Sequence, residues 1–546
     1  RSSSRDQTSM TDRAADVLAR RLHDAGCRYA FGIPGGEVLT LVDALTRAGI
    51  QFVLAKHENS AGFMAEGIYH RTGAPGILVA TLGPGVANAI NVVANAEQDR
   101  VPLIFLTGCV DEDEVLTYTH QVFDHQQLLR PITRASLRLI AKNADVVADR
   151  AVRQATGARP GPVHVDVPIS TALEPAVSSD GARPPRPAAA GPVAGPDLTQ
   201  ARRWLEDAER PLVMAGLEVL SDGAEGDLQK LVTQLNAPLI TTYKAKGVLA
   251  EEHPLAMGGA GLSPIADDVL MPLVREADVI VAAGYDPIEM RTGWRQPWDV
   301  SRQHVIELTA HPNDHDMHAA SLTFVGNVAA GLQALMPEQA PSGRWTSGKP
   351  ESVKAALTEK FSGGKNWGPA TAIATARRVL PDKTIAAVDS GAHRILLSQM
   401  WTCTEPRTLL QSTGLCTMGC GVPLALGAKI AEPERPCVAF TGDAGLLMIL
   451  GELASAAELN LAIIVVVFVD RSLALIDMKQ RQRQLQNAGV DFKHTDFSAV
   501  GEALGGRGVS VDSTETLETA LTEALQAKTF TVIAVEIDRE AYDGTF

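Results

Sequence analysis

Short apolar runs alternate with amphipathic stretches along almost the whole chain. In the first third, FVLAKHE, GILVATLG, VPLIFLTG and GPVHVDVP read as strands, and residues 10–25 and 85–98 carry helical periodicity. PLVMAG, PLITTY, VIVAAG and HVIELT repeat the rhythm in the middle. TIAAVD, CVAFTG, IIVVVFVD, GVSVD and FTVIAVEI repeat it in the last third, with a helical stretch LLMILGELASAAEL after CVAFTG. Strand–helix repetition of this kind builds parallel sheets covered by helices on both faces. The chain is therefore expected to be α/β, with three doubly wound domains of mainly parallel sheet.

Two stretches interrupt the pattern. Residues 174–196 are rich in Pro, Gly and Ala, and residues 337–367 form a second break that holds a short helical stretch around 351–360. They divide the chain into expected domains at 10–173, 197–336 and 368–546, with 1–9 read as a leader or tag scar. In such sheets ligands sit beyond the carboxyl ends of the strands, so the polar residues that follow the apolar runs are the candidates for chemistry.

Composition narrows the function. A length of 546 residues suits several domains, and 45% hydrophobic with 21% charged residues is ordinary globular usage. A net charge of −15, with no basic block, works against nucleic acid and anionic membranes as partners. The longest strongly apolar run, 461–469, is far below the ~20 residues of a membrane span and reads as a buried strand. Six cysteines without a CxxC pair suggest neither a disulfide framework nor a thiolate zinc site, and are expected to be small buried residues in a reducing, cytoplasmic protein.

The strongest local signal starts at the strand CVAFT. It is followed by Gly442, Asp443, Ala444 and Gly445, then a helical stretch, then a strand that ends at Asp470. Both acids fall at carboxyl ends of strands that one βαβ unit can make neighbours. Two hard carboxylates and a backbone carbonyl can hold an octahedral Mg²⁺ that keeps positions for phosphate oxygens and water. The small residues let backbone N–H groups approach a diphosphate at a helix start. A Gly-Asp turn alone is weak, because the same pair is common turn chemistry. A second signal is Glu58, in Lys56-His57-Glu58 at the end of the strand QFVLA. A buried acid there is costly unless it is paired or used, and a helix N-terminal acid is the plain alternative.

Together these segments resemble the thiamine diphosphate enzymes, whose metal motif is GDG, about 25 residues, then Asn-Asn. Here GDA is followed by VDRS, similar to the FAD-independent catabolic acetolactate synthases and to carboxyethylarginine synthase. FGIPGG, TLGPG and VPLIFLTG match family segments in order around Glu58. The resemblance implies Asp443, Asp470 and the carbonyl of Ser472 as metal ligands for Mg²⁺. It implies Glu58 as the catalytic acid on the cofactor's aminopyrimidine, and Met418 as the wedge that bends the cofactor. It places Gly442, Ala444, Gly445, Ser390, Gly391 and His393 near the diphosphate, Thr81 and Asn88 on the pyrimidine side, and Leu475 where the synthases carry Met. Gln121 and His120, in THQVFDHQ, are the candidates for substrate contact and proton transfer, and either histidine of that segment has a plain structural reading as well.

The function implied is decarboxylation of a 2-oxo acid and carboligation of the remaining fragment to a second carbonyl, with acetolactate from two pyruvates first. Another donor, or an amine acceptor, is the alternative. FAD is possible but not expected. MRTGWRQPWD gathers Arg291, Trp294, Arg295 and Trp298, which suits a carboxylate or routine edge packing. A dimer at minimum, or a tetramer, follows from a site that the family shares between subunits. A nicotinamide dehydrogenase lacks support, since no complete GxGxxG opens a βαβ unit.

Overall fold

Val, Ile and Leu runs with no polar face form strands only where both faces are covered, and each such run lies inside a parallel sheet. The computed structural model describes residues 12–176, 187–288, 290–338 and 343–546. The chain divides into two units at residues 186 and 187.

The first unit holds one six-stranded parallel sheet. Its order across the sheet is Gln51–Leu54, Tyr29–Ile33, Gly76–Ala80, Leu103–Cys109, Pro162–Pro168 and Ala135–Arg138. The helix Ala14–Asp24 packs against Ala144–Ala155, closing one core around Leu18, Leu22, Ile104 and Val165. Glu58–Thr72 and Pro84–Gln98 pack together on the sheet.

The second unit holds two sheets. One runs Ala256–Ala260, Leu239–Thr242, Pro211–Ala215, Val279–Ala283, His304–Thr309 and Leu322–Val325, all parallel. Counted along the chain that order is 3-2-1-4-5-6, the dinucleotide-fold arrangement. The other runs Leu409–Gln411, Ile385–Val388, Cys437–Gly442, Ile464–Val469, Thr531–Glu536 and Arg507–Val511, also all parallel. Its order is 2-1-3-4-6-5, and the sheet of the first unit has the same order. Two domains of one topology thus flank a third of another, and in both the order reverses between the first and third strands, where ligands bind.

Several expectations shift in detail. The first helix starts at Ala14, because Asp12–Arg13 pairs antiparallel with Pro175–Ala176, so ladder structure reaches into the expected 174–196 connection. The stretch after Asp443 is not one helix but two, Asp443–Leu447 and Gly451–Glu458. The helix in the 337–367 break runs Lys349–Lys360. The leader 1–9, residues 177–186 and residues 339–342 of the two breaks lie outside the described residues. No helix among the described residues is long and apolar enough to cross a membrane.

Candidate active site

In the first unit the switch point lies between the ends of Tyr29–Ile33 and Gly76–Ala80. Glu58 opens the helix Glu58–Thr72 and is 5% exposed. His57 caps that helix by accepting the Asn59 N–H. One Glu58 oxygen accepts from Asn88 Nδ2 at 3.0 Å, and Oε1 has no hydrogen-bond partner among the described residues. Thr81 donates to Glu37 at 2.7 Å, so a second carboxylate stands at the same end of the sheet.

Gly83 has φ +71°, and a Cβ on it would come 2.4 Å from the Gln121 carbonyl oxygen. Gln121 itself is left-handed (φ +59°) and exposed, as is His120. The histidine the fold builds in is His125. Its Nδ1 bonds Asp166 at 2.9 Å and its Nε2 accepts the Gly83 N–H at 3.3 Å. Asp166 also accepts from Thr107 at 2.7 Å, and Thr107 and Ser136 bond the two ring nitrogens of His164. Burial alone would raise the Asp166 carboxyl, but its bonds to His125 and His164 hold it far below the usual carboxylate range. His125, His164 and Asp166 are metal-ligand types close together, yet both nitrogens of each ring are already bonded, so the cluster is a hydrogen-bonded network. It bounds a cavity of about 440 Å³ lined by Leu82, Gln121, Phe123 and Arg138. Because the turn has no room for a Cβ, Gly83→Ala is expected to lower kcat/KM at least about tenfold through displacement of the Gln121 segment, with an unchanged far-UV circular dichroism spectrum.

In the second unit, Cys437–Gly442 and Ile464–Val469 are neighbours, which brings Asp443 and Asp470 to adjacent strand ends. Asp443 is 3% exposed. Its Oδ2 accepts the N–H groups of Asp470 (3.1 Å) and Arg471 (2.7 Å), and its Oδ1 accepts that of Ala444 (2.8 Å). Asp470 Oδ1 accepts the Ser472 N–H at 3.0 Å and hydroxyl at 3.2 Å. Burial and then the charge of Asp443 push Asp470 up to about 7, and burial raises Asp443 as well. A buried carboxylate and a half-buried one whose ionisation it opposes fit a divalent cation, which would favour both charges.

Three buried polar atoms without a hydrogen-bond partner among the described residues accompany them: Ser390 Oγ, His393 Nε2 and Tyr542 OH. His393 lies beside Gly391 and Gly442 and stacks on Phe468 at 5.6 Å, and burial lowers it to about 4, so it is a neutral ring. The Ser390 and Tyr542 hydroxyls are unused donors near a helix start, which an anionic diphosphate satisfies, whereas the neutral His393 donates to the Asp389 backbone through its other ring nitrogen. Asp389, which the strand pattern leaves unremarked, organises the floor. It accepts from Gly419 N–H (2.8 Å), Thr441 Oγ1 (2.9 Å) and Ser390 N–H (2.7 Å), tying the turn after Met418 to the Gly442 turn. A Cβ on Gly445 would meet Asp389 Oδ2 at 2.7 Å, which explains the glycine. Met418 is half-buried, and Leu475 packs with Ala392, Ala474 and Tyr542.

Two expectations change. Trp294 and Trp298 are buried in the middle domain's core while Arg291 and Arg295 are exposed, so that loop splits into core and surface. Five cysteines are buried, but Cys416 is exposed, because its left-handed backbone (φ +51°) turns it out beside Arg394 Nη1 at 3.1 Å. In the middle domain's own switch point, the Glu218 carboxylate occupies the Ala310 N–H at 2.8 Å.

Residues 12–128 match the family of the thiamine pyrophosphate enzyme N-terminal TPP binding domain, 198–335 that of the central domain, and 389–535 that of the C-terminal TPP binding domain. An acetolactate synthase of Bacillus subtilis is 27% identical over 539 residues, 96% of this chain and 93% of that one. The large subunit of acetolactate synthase isozyme 1 from Escherichia coli is 29% identical, over 85% and 83% of the two chains. A probable 2-ketoarginine decarboxylase of Pseudomonas aeruginosa is 28% identical, over 91% and 89%. With all three domains matched in order and the acids at the strand ends, the chain belongs to the thiamine diphosphate-dependent enzymes, in the branch of the acetolactate synthases.

Proposed function

We propose that the protein decarboxylates a 2-oxo acid and joins the remaining fragment to a second carbonyl, forming acetolactate from two pyruvates. The observation that carries the reading is Glu58: a buried carboxylate with one oxygen held by Asn88 and the other without a partner among the described residues, in a chain similar to acetolactate synthases over nearly its full length.

Bound thiamine diphosphate supplies a carbon nucleophile and an electron sink for the departing CO₂. The chain's part is to hold and move protons. Glu58 shares a proton with N1′ of the aminopyrimidine, and Asn88 fixes the carboxylate that does so. Asp443, Asp470 and the Ser472 carbonyl hold Mg²⁺, while Ser390, Gly391, His393, Gly442, Ala444 and Gly445 receive the diphosphate. Met418 and Leu475 supply the apolar wall, and Thr81 orders the pyrimidine end through Glu37. Gln121 orients the substrate, and His120 stands beside it as a proton carrier. The likeness of the VDRS segment to the FAD-independent branch favours a reading without FAD. Glu58 and Asp443 belong to one site when two copies pair, which makes a homodimer the minimum and a homotetramer the expected assembly in the cytoplasm.

A second reading is a longer 2-oxo acid with a cationic end. It is favoured by Glu37, whose half-buried carboxylate has only Thr81 as a partner among the described residues, and by the 2-ketoarginine decarboxylase relative. Mass spectrometry of the products from pyruvate and, separately, 2-ketoarginine, with thiamine diphosphate and Mg²⁺ but no flavin, tests both. Acetolactate supports the first reading. Decarboxylated 2-ketoarginine with no acetolactate replaces it by the second.

A further inference from the structure

The segment past the last strand folds back beside Asp470 and Asp443. Past the strand Thr531–Glu536 it turns through Arg539–Tyr542 and is tied down on both sides. Asp543 takes two contacts from Arg481, at 2.5 and 2.8 Å, and Arg481 also holds Asp477 at 2.9 Å. Arg539 pairs with Asp491. Asp477 and Arg481 lie on the helix Ala474–Gln482, which leaves the loop bearing Asp470 and Ser472. The strap is thus latched to the helix that follows the loop bearing Asp470.

Tyr542 lies on the inner side of this strap. It is 1% exposed and packs against Ala392 and Ala474, the first residues of two nine-residue helices, beside Leu475. Its hydroxyl has no hydrogen-bond partner among the described residues. A buried hydroxyl left unpaired is destabilising, and Phe would fill the same apolar contacts without that cost. The ring therefore fits this position for its oxygen's sake only if a partner arrives with a ligand. Burial and the charges of Asp470 and Asp443 keep the phenol protonated, so the group is a donor in search of an acceptor. Both Asp443 oxygens already accept backbone N–H groups.

We propose that Tyr542 donates its hydroxyl hydrogen to a diphosphate oxygen of thiamine diphosphate, completing a pair of side-chain hydroxyl donors with Ser390, and that the Arg481–Asp543 latch positions it. This rests on the cofactor-site reading above. It makes the carboxyl-terminal strap part of the binding site.

Isothermal titration of metal-saturated apoprotein with thiamine diphosphate, and with inorganic pyrophosphate as a probe lacking the rings, tests the contact. Tyr542→Phe is expected to raise Kd for both about tenfold while leaving the melting temperature of the apoprotein unchanged or higher. A purely structural tyrosine would instead lower the melting temperature of the apoprotein. Asp543→Asn is expected to weaken binding in the parent and to add little in Tyr542→Phe. Equal Kd values for parent and Tyr542→Phe overturn the proposal, as does a loss for thiamine diphosphate without one for pyrophosphate. A parent that binds neither ligand overturns the cofactor-site reading instead.

Discussion

Glu58→Gln is expected to lower turnover about 10²–10⁴-fold, the usual worth of a positioned proton-transfer group, with little change in the affinity for thiamine diphosphate. The substitution is nearly isosteric. An amide oxygen can still accept from Asn88 Nδ2, so the local hydrogen bond survives. What is lost is the capacity of the second oxygen to share a proton, since an amide does not titrate. The fold should not suffer. Glu58 is 5% exposed and its hydrogen-bond partner among the described residues is a neutral amide, so removing its charge relieves a desolvation cost. The melting temperature of the variant is then equal to or above the parent's. Exchange of the thiazolium C2 hydrogen of bound cofactor with deuterium, followed by proton NMR, should slow in step with turnover. A variant within tenfold of the parent in both rates would remove Glu58 from the catalytic role.

Glu58, Asp443 and Asp470 were readable because each lies within a few residues after an apolar run, and topology puts carboxyl ends of parallel strands at the ligand side. The pairing of Asp443 with Asp470 was readable for the same reason: one crossover makes their strands neighbours. Strands that carried the least signal were edge or glycine-bearing ones. Leu409–Gln411 has three residues, Ala256–Ala260 contains two glycines, and Tyr29–Ile33 runs straight into Pro34-Gly35-Gly36. The break of the helix after Asp443 was hidden because Leu446–Leu450 continues an apolar pattern with no stop residue. Polar networks were the least legible. His125 and Asp166 are 41 residues apart, and nothing in either neighbourhood announces the partner. Asp389 ends a strand and had the right signal, but its bonds reach 30 residues to Gly419 and 52 to Thr441. Tyr542 follows the last strand in a charged tail whose composition suggests surface, and the ties of that tail to Arg481 and Asp491 are long-range contacts that the local pattern does not announce.

Asp470→Asn and Asp443→Asn are expected to part company, although both remove a carboxylate from the same pair. In Asp470→Asn the side-chain oxygen can still accept the Ser472 N–H and hydroxyl, so no backbone donor is stranded. The half-buried charge that opposes Asp443 disappears, and the metal-free protein should melt at the parent's temperature or higher. Mg²⁺ measured by titration in the presence of thiamine diphosphate should bind about 10²-fold more weakly or worse, because the site loses one of its two anionic ligands. Asp443→Asn meets a different constraint. Its two oxygens accept three backbone N–H groups, from Ala444 on one side and from Asp470 and Arg471 on the other. Whichever way the amide turns, its NH₂ faces at least one of those donors, at a cost of about 1–3 kcal/mol to the metal-free fold. That variant should lose both Mg²⁺ affinity and thermal stability. The contrast separates a metal-binding acid from an acid that also organises the loop. Parent-like Mg²⁺ binding by Asp470→Asn would show that the second carboxylate is not a ligand, and equal melting temperatures for the two variants would show that the Asp443 bonds to Asp470 and Arg471 carry little of the loop's stability.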